Sequence, residues 1–197
     1  LDGVVRGMKP LAMEPVALGK VERNTVDVAA AGASIMAGRP DAVVQISAYK
    51  SCAAFIREAR KAGFGGTFYN VSFVGTAALA QELGVDARGV AVSQVMPFPF
   101  TPTTPVSGEY LAAGKAVYGD KFEPNYSSIE GFVAAKAIVE GMRRAGTSLN
   151  GEALIAGLES MRDVNLGGFY VDFSPTKHTG SKYVNLTILT ADGRVRT

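Results

Sequence analysis

The sequence predicts an α/β fold: a parallel sheet flanked by helices on both faces. Strand-length apolar runs alternate with helix-period stretches over roughly the first two-fifths of the chain, the βαβαβ rhythm of a sheet covered on both sides. Short polar loops separate the runs from the helices that follow them. The composition, 47% apolar and 19% charged over 197 residues, is that of a chain able to bury a core.

Taken in order, PVALGKVE (Pro15–Glu22) reads as a strand. Residues 24–38 read as a helix, with Thr25 as N-cap and Gly38 near its end. DAVVQISAYKSCAAFIREARKAG (41–63) gives a strand over Ala42–Ile46, a polar loop Ser47-Ala48-Tyr49-Lys50, and a helix over Lys50–Ala62. On that helix Cys52, Phe55, Ala59 and Ala62 recur at the spacing of a buried stripe, and Arg57, Arg60 and Lys61 form a solvated face. Gly66–Val71 is the next strand, GTAALAQELG a short helix, and Gly89–Val95 another strand.

The rhythm then breaks. PFPFTPTTP (97–105) holds four prolines in nine residues, and a residue without an amide donor that also restricts its predecessor suits neither a helix interior nor a central strand. It reads as a linker or crossover. Helices over Val106–Tyr118, Ser127–Ala145 and Asn150–Met161 follow with no strand between them. The second carries Phe132, Ala135, Val139 and Met142 on one apolar face. Such helices need a surface to cover that this stretch does not supply. The tail holds two alternating runs, Phe169–Phe173 and Tyr183–Leu189, expected as a hairpin or strand pair, with a further turn at Asp192-Gly193.

The totals exclude several functions. Twenty basic against eighteen acidic residues leave +2, too little to argue for nucleic acid or an anionic membrane. One cysteine, Cys52, permits no internal disulfide and sits among Ala53, Ala54 and Phe55 as a buried, inert thiol. No apolar stretch approaches the roughly 20 residues of a membrane span, and LDGVVRGMKPLAMEP lacks the layout of a signal peptide. Without an initiator Met, the chain reads as a mature or truncated product.

Enzyme chemistry finds little support. His178, the only histidine, lies in a polar turn, and no G-x-S-x-G elbow is present. Metal sites of His and Cys are excluded, and no dense Asp/Glu cluster replaces them. GEYLAAGKA is a near-miss to a phosphate loop, with the wrong glycine spacing, Ala116 after the lysine, and a helical context. No cofactor is implied.

What remains is binding. Open α/β sheets hold ligands at the carboxyl ends of their strands, where this sequence places Ser47-Ala48-Tyr49, Ser72-Phe73-Val74-Gly75 and Gln94-Val95-Met96-Pro97. Each pairs a small or polar residue with an apolar or aromatic one, the mixture of a small-molecule site. Hydroxyls and free amides at helix starts suit a carboxylate. Ser47 and Ser72 equally suit a plainer role as caps of the following helices.

Six blocks, ERNTVDVAAA, PDAVVQISAYKSCAAFIREARKAG, FYNVSFVG, GVAVSQVMPFP, YSSIEGFVAAKAIVEGMRRAG and LGGFYVDFSPTKHTGSKYVNLTIL, resemble in order and spacing the type I periplasmic ligand-binding proteins. The most similar branch is the leucine/isoleucine/valine-binding-like receptors of branched-chain amino acid ABC transporters. The resemblance spans the chain but only the later part of the family. It implies two Rossmann-like lobes that clamp a ligand between them. Residues 1–96 would form most of the second lobe, 97–105 a crossover, 106–160 helices of the first lobe, and 161–197 a return crossover and strand pair completing the second lobe. The helices' missing sheet would lie in an N-terminal part absent from this chain.

The resemblance also implies a ligand contact from the loop Ser47, Ala48, Tyr49, with Tyr49 as its aromatic. Where branched-chain binders place a carboxylate for the ligand ammonium, this sequence has Ser72, beside Phe73 and Val74. That loss puts amino-acid selectivity in question, since an unpaired buried ammonium is costly. Gln94, Tyr126 and Glu130 complete the expected set, Glu130 either supplying the missing charge or standing solvated. The implied role is an extracytoplasmic receptor, periplasmic or membrane-associated, that captures an amino acid or an aromatic or other organic acid for an ABC permease. A homodimer is an option. Rival readings are an α/β enzyme working through carboxylates and a receptor-like dimerisation or regulatory domain without transport.

Overall fold

The structure, a computed structural model, describes residues 1–23, 25–148 and 150–197. In chain order the elements are α1 (Asp2–Met8), α2 (Ala29–Ala37), β1 (Ala42–Gln45), α3 (Tyr49–Lys61), β2 (Thr67–Val71), α4 (Thr76–Leu83) and β3 (Val90–Gln94). They continue with α5 (Pro105–Tyr118), α6 (Tyr126–Ala145), α7 (Gly151–Glu159), β4 (Val164–Asn165), β5 (Tyr170–Val171), β6 (Asn185–Leu189) and β7 (Val195–Arg196). The main sheet has the order β1-β2-β3-β6-β7. Its first three strands run parallel, Gln45 opposite Asn70 and Asn70 opposite Val92, while β6 and β7 are antiparallel. The α/β class and the mostly parallel sheet are as the sequence predicts. The chain divides into two compact units, Leu1–Ser93 with Thr187–Arg196, and Gln94–Leu186 with Thr197.

Three local expectations differ from what forms. Pro15–Glu22 forms no strand and bends at Val16. The helix expected over 24–38 opens on Asn24, which lies outside the described residues, and begins only at Ala29. The Thr25 hydroxyl donates to the Glu22 carbonyl at 2.9 Å rather than capping a helix, and the β-branched Val26 and Val28 disfavour an earlier start. In the tail, Tyr170–Val171 pairs with Val164–Asn165 instead of with Tyr183–Leu189. Gly167 and Gly168, at φ of 102° and 86°, make the sharp turn that brings the nearest partner back. Asn165 Oδ1 accepts from both of their amides, at 2.9 and 2.6 Å.

In the first unit the core forms around Phe68. Its ring is fully buried and meets Phe55 and Phe64 edge-on, at centroid distances of 6.4 and 5.1 Å. The α3 stripe lies against it, with Cys52, Phe55 and Ala59 buried as expected and Ile56 added, whereas Ala62, just past the helix end, is exposed. Leu79 of α4, Val90 and Val92 of β3, and Leu189 of β6 complete the cluster. The basic residues of α3 have partners rather than water alone. Arg57 pairs with Glu82 at 3.2 Å and Asp86 at 3.8 Å. Arg60 lies 5.8 Å from the Phe68 ring centroid and donates to the Arg88 carbonyl.

In the second unit the helices announce their own starts. Thr104 and Ser107 form a capping box on α5, Asn125 caps α6 through the Ser128 amide, and Asn150 caps α7 through the Ala153 amide. The buried face of α6 is Tyr126, Ile129, Val133, Ala137 and Gly141. The other apolar stripe turns away: Ala135, Val139 and Met142 are exposed, and Phe132, Ala135 and Val139 line an open cavity of about 600 Å³. Helices α6 and α7 touch through glycines. A Cβ at Gly157 would collide with the Gly141 carbonyl oxygen, and one at Gly141 would stand 2.7 Å from Leu158 Cδ2.

Two substitutions test this packing. Phe68→Ala is expected to cost about 3–5 kcal/mol in denaturant unfolding, because a fully buried ring leaves a cavity. Gly157→Ala is expected to cost about 1–3 kcal/mol, because the clash is with backbone and the helices must part. Retention of wild-type stability in either variant contradicts the corresponding contact.

Candidate functional site

In the first unit the parallel register of β1 and β2 sets two loops side by side, since Gln45 and Asn70 are paired near both strand ends and neighbouring strands lie about 4.8 Å apart. The loop after β1 leads straight into α3, whose N-cap is Ala48. Alanine offers no side-chain acceptor, and the first helical bond runs from the Cys52 amide to the Ala48 carbonyl at 3.0 Å. The amides of Tyr49, Lys50 and Ser51 therefore begin the helix with no side-chain cap, the arrangement that favours negative charge. Ser72–Val74 forms a single 3₁₀ turn after β2, and Gly75, at φ 79°, caps α4 without a side-chain bond. Neither Ser47 nor Ser72 is a helix cap.

The predicted residues of this unit divide by exposure. Ser47, Tyr49 and Ser72 are half-buried, and Ala48 is exposed. Tyr49 packs partly on the core cluster. Phe73 is 66% exposed, while Val74 is 2% exposed and belongs to the core. The turn thus leaves the Phe73 ring exposed and anchors itself through Val74.

The remaining predicted residues lie in the second unit. Gln94 is fully buried. Tyr126 is buried edge-on to Phe100 at 6.1 Å, and Phe100 meets Phe98 at 5.1 Å. Burial, reinforced by Tyr183, raises the Tyr126 phenol well above the ordinary tyrosine range, so it stays a neutral donor. Glu130 is exposed on α6. His178 is exposed, with Nε2 2.9 Å from Glu159 Oε1.

Several polar positions escaped sequence reasoning. Asn70 is buried within β2 and Gln45 half-buried within β1, and the side-chain oxygens of both lack a hydrogen-bond partner. Ser51 ties the first turn of α3 to the Thr25 carbonyl at 2.5 Å. In the second unit the Tyr110 hydroxyl accepts from the Asn125 amide at 3.0 Å and lies 2.5 Å from Ser128 Oγ, bracing the α6 start. Among the described residues no group of His, Cys, Asp and Glu is arranged to hold a metal, and no helix is long and apolar enough to cross a membrane.

A parallel sheet whose strand-end loops carry hydroxyls, aromatic rings and an uncapped helix start is the framework of a small-molecule binding module. The chain belongs to the periplasmic binding protein family, whose model matches residues 3–194. It is similar to a substrate-binding periplasmic protein of Ralstonia solanacearum, with 32% identity and a TM-score of 0.86, covering 98% of this chain and 56% of that one. A possible leucine/isoleucine/valine-binding protein of Rhodopirellula baltica is 28% identical with a TM-score of 0.84, covering 98% and 53%. An extracellular ligand-binding receptor of Verminephrobacter eiseniae is 30% identical with a TM-score of 0.80, covering 99% and 57%. The chain thus spans little more than half the length of these relatives. Comparison with curated proteins gives no match.

Cys52 lies directly behind the first loop, its Sγ 3.5 Å from the Ser47 carbonyl. Burial pushes its thiol up to about 11, so at pH 8 the reactive thiolate is scarce. Iodoacetamide at pH 8 is expected to leave Cys52 unmodified in the native chain and to alkylate it fully once denaturant is added, as intact mass will show. Rapid native-state alkylation contradicts the packing of α3 against this loop.

Proposed function

We propose that the chain is part of an extracytoplasmic solute receptor that captures a small amino acid or organic acid and passes it to the permease of an ABC transporter. The observation that carries this is the pair of neighbouring loops, 47–49 and 72–74, at the carboxyl edge of the parallel strands. The uncapped amides of α3, with Ser47 and Ser72, supply donors for a carboxylate. Tyr49 and the exposed Phe73 supply apolar wall. The family and the printed descriptions of the relatives support a binder rather than a catalyst.

The loop chemistry bears on ligand class. Residues 72–74, Ser-Phe-Val, contain no acid, and an ammonium desolvated against them would be unpaired. That favours an organic acid over an amino acid at this unit. Of the contacts expected from the second unit, Glu130 is exposed and is the group that would restore amino-acid binding, whereas Gln94 and Tyr126 are buried and would reach a ligand only after a rearrangement. The exposed apolar stripe of α6 and the relatives' greater length support a further N-terminal lobe as the partner of α5–α7. Hinge closure on the ligand, as in receptors of this type, would then present the loaded form to the permease.

Isothermal calorimetry against leucine, valine, benzoate and other small carboxylates tests the proposal. One of these acids is expected to bind, with Tyr49→Ala and Phe73→Ala each weakening it by about tenfold. The Phe73 variant should keep its melting temperature, since that ring is exposed; the Tyr49 variant should lose a few degrees. No binding, or unchanged affinity in both variants, overturns this assignment of the loops.

A further inference from the structure

We propose that Asn150 and Gly151, at the start of α7, form a covalent modification site: a spontaneous deamidation site whose rate is set by opening of the helix cap. The proposal is independent of the ligand reading. It starts from a sequence contrast. Of the six asparagines, only Asn150 precedes a glycine; the others precede Thr25, Val71, Tyr126, Leu166 and Leu186. Deamidation needs the next backbone nitrogen to reach the side-chain amide carbon, and a side chain on that next residue obstructs the approach.

The fold leaves that approach open at Asn150. Its backbone is extended, with φ −141° and ψ 179°, and α7 begins at Gly151. The Gly151 amide is therefore the first of the helix and has no acceptor within it. Both residues are exposed, and a Cβ built at Gly151 would meet no described atom within 4 Å. One hydrogen bond restrains the reaction. Asn150 Oδ1 accepts from the Ala153 amide at 2.9 Å, which keeps the carboxamide engaged with Ala153 rather than with Gly151.

Asn125 is the internal contrast. It caps α6 in the same way, with φ −156° and ψ 165° and its Oδ1 accepting from the Ser128 amide at 2.9 Å. The residue after it, however, is the buried Tyr126, and the Asn125 amide donates to the Tyr110 hydroxyl at 3.0 Å. A bulky neighbour and a second tether thus protect Asn125, and Asn150 has the cap alone.

The chemistry needs only water and a base. When the first turn of α7 frays, the Gly151 nitrogen gives up its proton to base and attacks Asn150 Cγ. A C–N bond forms, the carboxamide nitrogen leaves as ammonia, and a succinimide ring remains. Water then opens the ring. Attack at Cγ breaks its bond to nitrogen and gives aspartate; attack at the main-chain carbonyl gives isoaspartate, with Gly151 now joined through Cγ. The two products act oppositely on α7. Aspartate keeps a capping oxygen and adds negative charge where a helix start favours it. Isoaspartate routes the main chain through the side-chain methylene and withdraws the cap, loosening a helix that packs on α6 through Gly157 and Gly141.

The test incubates the 197-residue chain in mildly alkaline buffer, folded and in denaturant, and follows each asparagine by peptide mass mapping. Fragment ions distinguish isoaspartate from aspartate. In the folded chain Asn150 is expected to convert well ahead of Asn125. It should convert about fivefold more slowly there than in denaturant, the factor a side-chain cap is worth. Gly151→Ala, which places a methyl group in open space, should bring Asn150 down to the Asn125 rate without lowering the melting temperature. The purified isoaspartyl form should melt a few degrees below the unmodified chain. The proposal is overturned if Asn150 converts no faster than Asn125, or if Gly151→Ala converts at the wild-type rate. Equal rates with and without denaturant, or an isoaspartyl form of unchanged melting temperature, overturn the role given to the cap.

Discussion

The parallel pairing of β1, β2 and β3 is the constraint on which the rest depends. Parallel strands need crossovers, and crossovers place helices over the sheet. Here α3 and α4 are those helices, and their buried faces close on Phe68. The same pairing dictates where the loops emerge. With Gln45, Asn70 and Val92 in one register row, the loops 47–49 and 72–74 must leave the sheet as neighbours. Core and candidate site therefore share one cause: moving the register by a residue would turn Phe68 outward and separate the loops.

Much of this was legible in local pattern. The strands Ala42–Ile46, Gly66–Val71 and Gly89–Val95 and the α3 helix announced themselves through apolar runs and periodicity, and they formed within about two residues of those bounds. Caps at Thr104, Asn125 and Asn150 obeyed side-chain chemistry that acts within a single turn. Failures came wherever the outcome depended on distant parts of the chain. Pro15–Glu22 has strand composition, but a strand also requires a partner. The stripe Phe132, Ala135, Val139, Met142 has core periodicity, yet α6 carries a second stripe and its neighbours chose that one. Arg57 and Arg60 looked solvated because Glu82, Asp86 and the Phe68 ring are remote in sequence.

The candidate site was legible as a location and less so as chemistry. Loop position follows from strand order, so 47–49 and 72–74 could be named in advance. Whether a serine caps a helix or faces a ligand depends on backbone turns of one residue. Gly75, with its positive φ, takes the cap position of α4 and leaves Ser72 out of it. Val74 shows the opposite case, a loop residue that the fold spends on the core. The unpartnered oxygens of Gln45 and Asn70 had no sequence signal, since polar residues inside strands are ordinarily read as solvent-facing.

The candidate loop 47–49 leaves the carboxyl end of β1. The central claim is that loops 47–49 and 72–74 form one ligand-facing surface. The most direct measurement is a titration of the ¹⁵N-labelled chain with benzoate and with valine, followed through amide chemical shifts. Saturable shifts at Tyr49, Lys50 and Ser51 together with Ser72 and Phe73, sharing one dissociation constant, are the predicted result. Saturable shifts confined to other residues, or no shifts with either acid at millimolar concentration, would contradict the account.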